Sequence, residues 1–241
     1  MKNREKIDQW IDRVKDAYLN SDAVLTDSLL QEAIAETDSA PQLLEIAGMI
    51  AYRKGEAVEA IRLIEAAMFE IGLSISAQLT LANAWLQVGN IDSSRTTASF
   101  LVDVVDRVPC SMLADLTHIL SALQEYELAI VACRKAFERH PDDDNAIFGC
   151  AFYMHRAGYP LELVKNVMLK ALELKPTSQL YQVNLAVVYC SLNQWEAAYL
   201  SACRLSDQAL SSIPCDCMVR QLTDLFKRFD DQSRLTKVKS N

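Results

Sequence analysis

A spacing constrains this chain more than its composition does. Gly55 and Gly89 lie 34 residues apart; each closes a helical pattern, AYRKG and WLQVG, and each precedes a second one. Four segments repeat one design: 56–68 (EAVEAIRLIEAAM), 127–137 (ELAIVACRKAF), 162–172 (ELVKNVMLKAL) and 196–206 (EAAYLSACRLS). Ala60, Ala129, Val164 and Ala198 are its central small or apolar residues, and Ala67, Ala136, Ala171 and Leu205 follow seven positions later. From position 60 through 94, 129, 164 and 198 the steps are 34, 35, 35 and 34. A period of this length suits a helical hairpin stacked on copies of itself, because one hairpin cannot bury its own apolar face.

Composition narrows the choice further. The 241 residues include only 6 Gly and 6 Pro, about half the usual share of these two types. Sheet architectures with many tight turns, and nucleotide folds with Gly-rich phosphate loops, need more of both. The few present are expected as punctuation. Gly55, Gly89 and Gly158 fall at turns inside a unit, Pro41, Pro109, Pro141, Pro176 and Pro214 at or near joints, and Gly48 in a close-packing slot. The charged start MKNREKIDQW lacks the apolar run of a signal peptide, and no long apolar stretch would span a membrane, so a cytoplasmic protein is expected. Seven scattered Cys, with Cys215-Asp216-Cys217 too close for a metal pair, read as free reduced thiols.

With these residues in place, the chain resembles the tetratricopeptide repeat family. Its unit has Trp/Leu, Gly/Ala, Tyr, Ala, Phe, Ala and Pro at positions 4, 8, 11, 20, 24, 27 and 32. The segment 41–74 matches best, with Leu44, Ala47, Gly48, Ala51, Ala60, Ile64 and Ala67 in the core slots. The other units are 7–40, 75–108, 109–143, 144–178 and 179–212. They place Trp10, Trp85, Tyr189, Pro141 and Pro176 in family slots. Across the seven core slots of all six units only Arg13, Thr26, Gln78, Ser94, Thr117 and Gln182 are polar. The resemblance implies an all-α, right-handed α-α superhelical solenoid over 7–212. A capping helix is expected at 213–229, where Met218, Leu222, Leu225 and Phe229 recur at helical spacing, then a flexible polar tail at 230–241.

Little in the chain suggests catalysis. There are three His, and no metalloprotease, Walker, dinucleotide or nucleophile-elbow motif. His140 is read as complementing a helix end. Asp142, Asp143, Asp144 and Asn145 lack the Gly and Glu of a calcium loop and read as a helix cap. No enzyme, cofactor or metal site is expected.

The resemblance instead implies a concave surface lined by the first helix of each unit, binding a peptide or helix of a partner protein. Its lining carries over to Tyr18, Glu45, Met49, Tyr52, Arg53, Leu79, Asn83, Leu86, His118, Phe148, Phe152, His155, Arg156 and Asn184. Met and flat aromatic rings there suit an apolar segment. The carboxylate clamp that holds chaperone tails is incomplete: Asn83 fills one slot, but Leu79 and Asp115 stand where Lys and Asn are needed. A net charge of −8 without a basic stripe argues against RNA. The expectation is a scaffold or adaptor, with an assembly or secretion chaperone or a self-associating structural protein (a homodimer) as alternatives.

Overall fold

The structure, a computed structural model, describes residues 2–20, 22–213 and 215–238. Pro214, expected at a joint, and Lys239 in the tail lie outside the described residues. The helices are α1 (Lys2–Leu19), α2 (Ala23–Glu36), α3 (Pro41–Arg53), α4 (Ala57–Met68), α5 (Ile75–Gln87), α6 (Ile91–Asp103), α7 (Cys110–Ala122) and α8 (Tyr126–Arg139). They continue as α9 (Asp144–Arg156), α10 (Leu161–Leu174), α11 (Gln179–Ser191), α12 (Trp195–Ala202), α13 (Asp207–Leu210), α14 (Asp216–Arg228) and α15 (Gln232–Leu235). No β-strand occurs among the described residues.

Local chemistry sets the ends of these helices. Asp22, Ser74, Asn90, Asp143, Ser178, Ser206 and Asp231 each accept a hydrogen bond from a backbone N–H of the turn they open, satisfying donors that the helix leaves free. Asp143 takes two, from Asn145 at 3.0 Å and Ala146 at 3.2 Å, so the acidic run opens α9 as a cap. The opposite ends share a turn. After α3 the N–H of Gly55 bonds to Tyr52 O (2.9 Å) and that of Glu56 to Ala51 O (3.0 Å), with Gly55 at φ 85°. This left-handed closure favours Gly. Gly89 and Gly158 repeat it, whereas Gln124 (φ 62°) and Asn193 (φ 58°) occupy the same place after α7 and α11.

The chain divides into two compact units, Met1–Leu123 and Gln124–Asn241. The division falls inside segment 109–143, with α7 in the first unit and α8 in the second. In the first unit α1 packs on α3, α3 on α5 and α5 on α7, while α2, α4 and α6 each pack against the first helices on either side. First and second helices therefore form separate layers with an Ala-rich seam between them. Ala47, Ala60, Ala67, Ala77, Ala82, Ala84 and Ala98 are at most 4% exposed. Gly48 marks the closest approach. A Cβ there would overlap Ile64 Cγ1 and stand 3.0 Å from the Ala60 carbonyl oxygen. In the second unit a Cβ on Gly149 would stand 2.9 Å from Cys133 Sγ.

The polar residues in core slots are mostly absorbed by the backbone. Thr26 Oγ1 donates to Asp22 O (2.7 Å) and Thr117 Oγ1 to Ala114 O (2.9 Å). Gln78 Nε2 donates to Leu73 O (2.9 Å) and Gln182 Nε2 to Pro176 O (2.7 Å), each reaching back to the chain entering its helix. Arg13 lies outside the core with its guanidinium 4.2 Å from the Trp10 ring centre. Ser94 is fully buried, and its Oγ has no hydrogen-bond partner.

Two expectations near the C-terminus are corrected. The segment from 230 is not a loose tail as far as the described residues go. Arg234 donates to the carbonyl oxygens of Cys203 (2.5 Å) and Leu205 (2.9 Å) just past α12, and Asp231 accepts from Tyr199 Oη (2.9 Å). Lys237 pairs with Asp207 at 3.0 Å, and Leu235 and Val238 pack on the core formed by α11, α12 and α14. The physical reason is that α12 stops after eight residues, leaving carbonyls that a guanidinium can satisfy. The cysteines are not all free thiols either: Cys215 and Cys217 form a disulfide with Cα atoms 5.5 Å apart. Cys215 is extended (φ −154°, ψ 152°) at the N-cap of α14, and an extended residue points positions i and i+2 to one side. In α14 itself Met218, Leu222 and Leu225 are buried as their spacing predicts. Phe226 joins them, and Phe229 stacks on Tyr199 at 4.4 Å.

Candidate binding surface

The first-helix layer of the first unit carries an open cleft of about 310 Å³ between α1 and α3. Val14, Tyr18, Ile46, Met49 and Ile50 form its walls, with Lys15 and Arg53 at the rim. Helical spacing accounts for this set: 14 and 18 are one turn apart on α1, as are 46, 49, 50 and 53 along α3. Tyr18 and Met49 are half-buried, so they are held in place without being covered. The Arg53 guanidinium lies 5.0 Å from the Tyr18 ring centre and donates to its hydroxyl. Three residues carried over from the repeat pattern, Tyr18, Met49 and Arg53, thus meet at one place.

The rest of the expected lining in this unit is uneven. Tyr52, Asn83 and Leu86 are half-buried and His118 is exposed. Desolvation, then the charge of Asp115, pushes the Tyr52 hydroxyl above its ordinary pKa, so it remains a hydrogen-bond donor at neutral pH. Glu45 and Leu79 are buried, at 9% and 4% exposure, and contribute little open surface. Glu45 accepts a hydrogen bond from the Ser74 hydroxyl across to the next hairpin. Ser74 offered no sequence signal of this, because carboxylates are normally exposed.

In the second unit the aromatic residues pack together. Phe148 stacks on Tyr181 with ring centres 4.3 Å apart, and Phe152 lies 6.3 Å from Phe148 and meets Tyr153 edge-on at 5.3 Å. Tyr181, almost wholly buried, donates to Asp144 and anchors this wall to the start of α9. Arg156 turns to Tyr126, with Nη2 3.0 Å from its hydroxyl. More than a third of His155 is exposed, yet desolvation and the adjacent Arg156 hold its pKa below the ordinary value, so it is neutral at pH 7. Asn184 is half-buried and donates to Leu180 O on its own helix (2.8 Å).

Burial pushes Cys133 up to about 12 and Cys190 up to about 11, and raises Cys150. These thiols stay protonated and inert at neutral pH. Among the described residues no three His, Cys, Asp or Glu side chains cluster as a metal-ligating set, and no helix is long and apolar enough to cross a membrane.

Comparison with known proteins places the fold. The structure has the tetratricopeptide-type helical-repeat architecture. A tetratricopeptide repeat protein from Parabacteroides merdae superposes with a TM-score of 0.64 over 96% of this chain and 90% of its own, at 15% identity. MamA of RS-1, as a double mutant, gives 0.57 over 80% of this chain and 97% of its own, at 15% identity. MamA of AMB-1 gives 0.55 over 68% and 88%, at 19% identity. At such identities the likeness defines the fold and nothing finer. No family model and no curated protein sequence matches the chain.

Proposed function

We propose that this protein is a non-catalytic interaction scaffold that holds a segment of a partner protein on the first-helix face of its repeats. Helical repeats of this type suit such work, because a rigid stack loses little entropy on binding. The observation that carries the reading is the cleft between α1 and α3, apolar in its walls and open to an incoming side chain. Phe148 and Phe152 supply a second half-buried aromatic surface within the other unit. The test is substitution at these places. Met49→Ala and Phe152→Ala should each weaken capture of a bound segment about tenfold, with helicity by circular dichroism unchanged. Loss of helicity would instead assign these residues to the core.

A self-associating role has its own support on a different helix. Val58 and Met68 on α4, with Phe69 at its end, are 73%, 44% and 85% exposed, and residues 58 and 69 share a helical face. Sedimentation decides it: a mass that stays monomeric across the micromolar range ends that reading.

A further inference from the structure

The α1–α3 cleft also specifies what kind of segment it takes. In the first unit carboxylates outnumber cations, and several of its cations are paired: Lys6 with Glu36, Lys54 with Asp27, Arg62 with Glu59 and Arg95 with Asp92. Lys15 and Arg53 belong, with Arg13 and Arg107, to the cations outside these pairs, and of those four they alone border the cleft. Among the described residues neither is paired with a carboxylate, although acidic side chains are abundant in the same unit. Arg53 is held over Tyr18, so its planar fork is already oriented and its other N–H groups remain to be used. Both cations sit on the rim of a cleft whose walls include Ile46 and Met49.

From this charge complementarity we infer that the cleft recognises an acidic-flanked aliphatic segment of a partner protein. A Leu, Ile or Met side chain enters between Tyr18 and Met49, and a carboxylate within two residues of it bonds Arg53 and Lys15. The inference rests on the scaffold reading above and adds the chemistry of the occupant. Apolar burial supplies the contact, and the two cations select the flanking charge and the register. At physiological salt the screening length is about 8 Å, so these rim cations act locally in spite of the unit's acidic surroundings.

A position-scanning library of capped octapeptides, bound to the full chain, tests this. The expected preference is Leu, Ile or Met at one position and Asp or Glu within two residues of it. A fluorescein-labelled octapeptide made to that preference should lose about tenfold in affinity with Arg53→Gln and several-fold with Lys15→Gln, and should weaken as salt rises. Lys15 is exposed and carries no ion pair among the described residues, so its variant keeps the test valid if Arg53→Gln unsettles α1. Binding without an acidic preference, or binding indifferent to both variants, overturns this inference while leaving the scaffold reading intact. No binding by any library member overturns both, and a preference for basic flanks contradicts the charge argument directly.

Discussion

Ser94, Gly48 and Gln124 each show what the repeat demands of a single position. Ser94 fills a slot that holds Ala in three of the other units, and its buried hydroxyl has no partner. Ser94→Ala should raise stability by about 1 kcal/mol in a denaturant titration, since it removes an unsatisfied polar group and little volume. Gly48 admits no Cβ without displacing Ile64. Gly48→Ala should lower stability by about 2 kcal/mol in the same titration. Gln124 takes a left-handed turn that three other units assign to Gly. The buried thiols carry a pH dependence of known sign. Burial raises Cys133 from 9.0 to about 12, so the neutral thiol is favoured in the folded state. Its contribution to stability is complete below about pH 9 and is lost as pH climbs toward 12. Thermal melts across that window should fall, and fall less in Cys133→Ala.

At the scale of helices, the frame was legible because packing constrains it. Small residues at Ala60, Ala129 and Ala198 recur where two backbones approach, and that need shows directly in residue type. Even the polar exceptions preserve the frame: Gln78 and Gln182 stand at one slot and bond the entering backbone in the same way. What escaped sequence reasoning depends on partners distant in the chain. Arg234 in a polar stretch gives no sign that it will cap the carbonyls after α12, and Ser74 gives none that it will bond Glu45. Arg234→Ala should release α15 and cost about 2 kcal/mol, read as faster amide exchange in residues 199–205 with α3 and α4 unaffected. A uniform increase throughout the chain would show instead that α15 supports far more than the end of α12.

For the whole molecule, the architecture was the most readable property and the binding surface the least. A 34-residue period reports which residues face the neighbouring helix. Exposed positions on the first helices are free of that constraint, so the pattern alone could not separate Met49 on the open cleft from Leu79, which is buried. Uncovered aliphatic walls and unpaired rim cations become visible only once α1 and α3 lie side by side. The central claim is that this face holds a partner segment. Its most direct measurement is a methyl NMR titration of methionine-labelled protein with the acidic-aliphatic octapeptide. The account predicts a saturable shift of the Met49 methyl resonance, while the core residues Met168 and Met218 stay in place. A peptide that binds and leaves Met49 unmoved, or moves all three alike, would contradict it.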